Sequence, residues 1–105
     1  MKNMFQMIRD ATAMQKQVQK IQAQLREKTV EFSSGGGKVT VTARGDMSVA
    51  AIRIDPSVMN PAQGAALEKL VLTAVEGALN EAKEMSAREM KHLASDMGLP
   101  DIPGL

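Results

Sequence analysis

Cysteine, tryptophan and tyrosine are absent from these 105 residues, and only two aromatic side chains are present, Phe5 and Phe32. Without cysteine there is no disulfide framework, no thiolate metal site and no cysteine nucleophile, which suits a reducing compartment and points to the cytoplasm. Two aromatics are too few for the stacking platforms with which most single-stranded nucleic-acid binders hold bases. No stretch approaches the ~20 consecutive apolar residues of a membrane span, and the N-terminus lacks the unbroken apolar core of a signal peptide, so a soluble protein with no membrane partner is expected. His92 is the single histidine, and no nucleophile–base pair or ligand cluster can be assembled around it. It reads as a surface residue near a helix end, favourable to the dipole. Gly35-Gly36-Gly37 precedes a strand, not a helix, and so lacks the helix N-terminus that a phosphate-binding loop requires. The residues call for no enzyme, metal, cofactor or small-molecule substrate.

What is present is an uneven distribution of charge. Residues 1–28 contain six basic side chains (Lys2, Arg9, Lys16, Lys20, Arg26, Lys28) against two acidic ones (Asp10, Glu27), and the rest of the chain has seven against ten, a split of +4 and −3 within a total of +1. A basic segment on a nearly neutral protein suggests a polyanionic partner. At this length one domain, 1–105, is expected.

Apolar residues at Met4, Met7, Ala11, Met14, Val18, Ile21 and Leu25 alternate steps of three and four, an a/d heptad sustained for three repeats. The spacing predicts a helix over 1–28 whose packing or dimer seam includes Met7, Met14, Val18, Ile21 and Leu25. Lys2, Arg9 and Lys16 all occupy the heptad position facing away from that seam, successive members about 10 Å apart, and Lys20 lies one turn beyond Lys16. The period then changes from seven to two. Val30 and Phe32 mark a first strand, Val39, Val41 and Ala43 a second, and Ala50, Ile52 and Ile54 the expected core face of a third, giving a three-stranded antiparallel meander over 29–55. Between the second and third strands a four-residue turn, Gly45 to Ser48, is preferred over a two-residue one, because it sets Lys38 opposite Asp55 instead of opposite Arg53.

Asn60-Pro61 supplies a cap and a first-turn proline for a long helix over 60–95, with Gly98 as its stop and 98–105 as a tail. Its apolar stripe runs from Leu67 through Leu70, Val71, Ala74, Val75, Ala78, Leu79 and Ala82 to Met85. Glu81, Glu84 and Glu89 interleave with Lys83, Arg88 and Lys91 as on a solvated face. The fold class is α+β: helix, three-stranded antiparallel sheet, long helix. One pair of helices cannot cover both a sheet with open edges and an a/d seam, so a homodimer is expected, intertwined or paired through its sheets, with projecting helical arms. If the second helix runs antiparallel to the first, Arg88 and Lys91 come near Lys2 and Arg9 and the positive charges gather at one tip.

The segment Ile52-Arg53-Ile54-Asp55-Pro56-Ser57-Val58-Met59 resembles the corresponding stretch of the YbaB/EbfC family of bacterial nucleoid-associated proteins. Lys38-Val39-Thr40-Val41-Thr42, the run Leu67-Glu68-Lys69-Leu70-Val71 with Ala74-Val75, and Met97-Gly98-Leu99-Pro100 are similar to that family as well, so the resemblance covers about residues 10–105. The chain departs from the family in lacking a glycine-rich extreme N-terminus. The resemblance implies a tweezer-like homodimer that binds duplex DNA with helical arms and helps organise the nucleoid, and hence a location in the cytoplasm at the nucleoid. Joined to the charge pattern, it gives an expected DNA-binding set of Lys2, Arg9, Lys16, Lys20, Arg88 and Lys91, contacting phosphates with little sequence preference. The alternative is a prefoldin-like chaperone or protein-interaction module that grips apolar clients with its Met-rich seams.

Overall fold

A computed structural model of the protein describes residues 3–96. The chain runs α1 (Met4–Glu27), β1 (Thr29–Ser34), β2 (Val39–Arg44), β3 (Val49–Ile54), two short 3₁₀ turns (Pro56–Val58 and Pro61–Gln63) and α2 (Gly64–Asp96). Lys2 and the Gly98 stop with its tail lie outside the described residues.

α1 contains neither glycine nor proline and is built mainly from Gln, Met, Ala, Lys and Leu, all good helix formers. Asn3 starts it: the backbone N–H of Gln6 donates to Asn3 Oδ1 at 2.8 Å, satisfying one of the first-turn donors. The helix stops where Lys28 turns extended and the Thr29-Val30 pair begins the β pattern.

The sheet order is β1-β2-β3, with both pairs antiparallel. The register Phe32↔Val41 and Val41↔Ile52 aligns apolar residues of all three strands on one face. The Asp55 N–H donates to the Lys38 carbonyl at 2.8 Å, so Lys38 lies opposite Asp55 as expected. The turn itself is shorter than expected: the Met47 N–H donates to the Arg44 carbonyl and the Arg44 N–H to the Ser48 carbonyl, closing a three-residue loop, Gly45 to Met47, and a bulge in β3 supplies the remaining residue of the register. In that turn Met47 adopts a positive φ of 70°, and Asp46 Oδ1 accepts from the Ser48 N–H at 3.0 Å.

One strand assignment needs correction. A bulge at Thr42/Ala43 pairs Thr42 with Ala51 and Ala43 with Val49, which leaves Ala50 unpaired. Val49, not Ala50, therefore shares the apolar face with Ile52 and Ile54, because an extra residue shifts the two-residue period by one. That face is also less covered than expected: α2 lies over β1 and β2, while Ile52 remains 46% exposed and only Ile54 joins the core.

α2 packs through Ala74, Ala78 and Ala82, all fully buried, against Val39, Val41 and Ala43 of β2. These alanines recur every four residues, so small methyls line the contact and let the helix approach closely. Leu67, Leu70, Val71, Val75 and Leu79 flank it. A hydrogen bond from Ser34 Oγ to the Leu70 carbonyl (2.6 Å) ties β1 to the early part of α2, and one from Ser86 Oγ to the Gly45 carbonyl (2.6 Å) ties the second hairpin to its later part. The helix opens differently from the sequence expectation. Asn60 caps a 3₁₀ turn by accepting from the Ala62 N–H at 3.0 Å, and the α-helical span begins only at Gly64.

Candidate nucleic-acid interface

The packing seam of α1 has two parts. Ile21 and Leu25 are buried, Val18 is half-buried, and α1 touches α2 and β2. Met4, Met7 and Met14 remain 75%, 60% and 51% exposed. The molecule measures 71 × 18 × 18 Å. A 24-residue helix accounts for about 36 Å of that length at 1.5 Å per residue, so α1 leaves the body of the fold as an arm.

Along this arm Arg9, Lys16 and Lys20 are all exposed. At 3.6 residues per turn they fall within about 40° of one another, and about 150° round the helix from the centre of the Val18, Ile21 and Leu25 stripe. Among the described residues, ion pairs within 4.0 Å join Lys28 to Glu89 at 2.8 Å, Arg53 to Glu31 at 3.2 Å and His92 to Asp96 at 3.3 Å, and none of them takes a member of the row. The row is thus three cations turned outward without carboxylate partners among the described residues. Lys28 and Arg53, by contrast, are locally compensated. The Lys28 ammonium beside Glu89 holds that carboxyl below its usual range.

Arg88 and Lys91 are exposed too, but they do not join the row. Glu89 sits against Lys28, so this part of α2 is level with the C-terminal end of α1. Arg9 lies more than about 20 Å farther along the arm at 1.5 Å per residue. The expectation that the charges gather at one tip is therefore corrected: α2 first crosses the sheet from Ser34 to Gly45 before it reaches α1. Two separate basic regions result, one along the arm and one beside its root.

The Asp55-Pro56-Ser57 motif proves to be a cap. Asp55 Oδ1 accepts from the Ser57 N–H at 2.8 Å, ending β3 and starting the first 3₁₀ turn. That backbone bond is the main cause holding the Asp55 carboxyl below its ordinary value. Sequence reasoning missed two features. Gly77 and Gly45 are sites of close approach, where a Cβ would collide with the Phe32 ring and the Leu25 backbone respectively. Phe5, 78% exposed, lies one helical turn from Arg9 on the basic face and borders a shallow depression with Asn3, Gln6, Arg9 and Asp10. Its i, i+4 spacing to Arg9 was the available signal.

Among the described residues no group of three or more His, Asp or Glu side chains could hold a metal ion, and no helix is long and apolar enough to cross a membrane.

Comparison with known proteins bears on what such an arm contacts. The sequence model of the YbaB/EbfC DNA-binding family matches residues 1–97. A nucleoid-associated protein of Acetivibrio thermocellus is 41% identical over 103 residues, covering 98% of this chain and 89% of that one. Another, from Moorella thermoacetica, is 42% identical over 100 residues, covering 95% and 96%. The crystal structure of an uncharacterized protein from Helicobacter pylori superimposes with a TM-score of 0.61 at 22% identity over 83% of this chain and 96% of that one, which shows the same fold.

Proposed function

The chain belongs to the YbaB/EbfC DNA-binding family, and from that premise we propose that it works as a homodimer whose arms grip the phosphates of duplex DNA with little regard to sequence, organising the nucleoid or influencing gene activity there. The observation behind this reading is the row of Arg9, Lys16 and Lys20, without carboxylate partners among the described residues, on the face of α1 turned away from its packed stripe. Lys2, outside the described residues, would add a further phosphate contact, and Arg88 with Lys91 would form a second contact near the root. Cations of this kind engage phosphates without reading base edges, so affinity is broad and falls with salt. Support for the dimer comes from apolar surface that the single chain leaves open: Val49 and Ile52 on β3, Leu72 on α2, and Met4, Met7 and Met14 along the arm. Nucleoid-associated is also how the relatives are described.

The test is a mobility-shift series on unrelated duplexes at two salt concentrations, using protein of known oligomeric state. With about five phosphates engaged per dimer, log K should fall against log salt with a slope near −4.5. Reversing Arg9, Lys16 and Lys20 to Glu should abolish the shift, and a flat salt titration would overturn the reading. Exposed methionines on the seam favour a second possibility, a chaperone-like module holding apolar clients. The same charge reversal separates the two, since client binding would survive it.

A further inference from the structure

We propose that Phe5 is an apolar wedge that enters a base step of the bound duplex and partly unstacks it, an inference that rests on the duplex-binding reading above. Phe5 is 78% exposed. Its position explains why the seam leaves it uncovered: at 3.6 residues per turn it lies about 40° from Arg9, and about 160° round α1 from Met7. The ring therefore belongs to the face that carries Arg9, Lys16 and Lys20, and packing along the a/d seam cannot bury it. Any surface that covers it must also suit the neighbouring cations, and a nucleic acid does so by offering phosphates on the outside and apolar base faces within. The placement at the arm's first turn matters as well. A whole helix is too wide for the minor groove, but one side chain at a helix tip can reach past the phosphates to a base step. Met4 and Ile8, both exposed, broaden the apolar tip beside the ring.

A wedge of this kind kinks or unwinds the duplex without reading hydrogen bonds, so it adds a preference for easily opened pyrimidine–purine steps while leaving sequence recognition weak. It also assigns separate tasks to the two ends of the row. Lys16 and Lys20 hold the backbone, and Phe5 deforms the base stack.

The chain has no tryptophan or tyrosine, so Phe5→Trp installs a single indole reporter at the tip. With a duplex carrying 2-aminopurine at one TA step, the wild type should raise the 2-aminopurine fluorescence on binding, and the Phe5→Trp indole should be quenched by the same duplex. Phe5→Ala should keep the helical circular dichroism and the salt slope, lose the 2-aminopurine signal and bind about fivefold or more weakly, as expected when one stacking aromatic is removed. Failure of the wild type to raise the signal, an unquenched indole, or a Phe5→Ala variant that distorts the duplex like the wild type would each overturn the wedge. Those failures differ from failure of the duplex reading itself, which would show as unchanged binding after reversal of Arg9, Lys16 and Lys20.

Discussion

The ring of Phe32 on β1 fills the space in which a side chain at position 77 of α2 would begin. The helix crosses the sheet at this point with backbone against aromatic face, and Ala74 and Ala78 on either side are fully buried. Gly77→Ala should thus be destabilising even though alanine is the better helix former by about 1 kcal/mol. Displacing the ring is expected to cost more than that gain, and Gly77→Val should lose about 1–3 kcal/mol. Thermal unfolding followed by circular dichroism checks the order wild type, Gly77→Ala, Gly77→Val. A Gly77→Ala protein as stable as the wild type would mean that the ring moves aside freely.

Glu89 should titrate below the ordinary carboxyl value of 4.5, chiefly because it accepts a hydrogen bond from Lys28. A carboxyl depressed in the folded state stabilises the fold at pH above its unfolded value, and that contribution disappears as the pH falls through the folded one. Carboxyl carbon NMR should show Glu89 returning toward 4.5 in Lys28→Met. In the same variant the attachment of α1 should lose its acid sensitivity.

Asn3→Ala removes the side-chain acceptor for the Gln6 N–H. The change should cost about 0.5–2 kcal/mol of helix stability. Because the first turn of α1 projects from the body, the loss should remain local. Amide exchange should quicken at Gln6 and its neighbours, while the amides of β2 stay protected and the unfolding midpoint hardly moves.

Ile52→Glu tests how the chain pairs. Ile52 is 46% exposed on the apolar face that α2 leaves uncovered, so a charge there is tolerable in a lone chain and costly inside an interface. Light scattering should show the wild type as a dimer and Ile52→Glu shifted toward monomer with its circular dichroism intact. A variant that stays dimeric would place the contact elsewhere.

Much of this architecture is legible in the residues themselves. The heptad from Met4 to Leu25 specifies α1, the alternation at Val39, Val41 and Ala43 specifies β2, and like-charge avoidance at Lys38 selects the register that sets it opposite Asp55, although a three-residue loop and a bulge, not a four-residue turn, produce that register. Ala50 departs from the simple alternation because a bulge moves the pleat by one residue, and nothing in Val49-Ala50-Ala51 marks which residue is the extra one. Arg88 and Lys91 lie away from the arm's tip for a different reason. Periodicity describes the face of α2, while the height at which α2 meets α1 depends on the whole path across the sheet, anchored by Ser34 to Leu70 and Ser86 to Gly45. For the candidate site, the outward position of Arg9, Lys16 and Lys20 followed from the heptad alone. Phe5 is less legible, because it lies outside the heptad seam and its exposure depends on how far α1 projects from the body.

The absence of glycine and proline from α1 has a mechanical consequence. With no glycine or proline inside the helix, and with Ile21 and Leu25 its buried residues, any tilt of the arm would act as that of a lever about Ile21, and the lever from Ile21 to Met4 is about 25 Å long at 1.5 Å per residue. Tilting it by about 10° sweeps the far end through about 4 Å, more than the about 3.4 Å between successive phosphates of one strand along a duplex axis. On the proposed mode of binding, a small rocking motion at the root would therefore be sufficient to move the tip by one nucleotide, so that stiffness in the helix would become adaptability at its end.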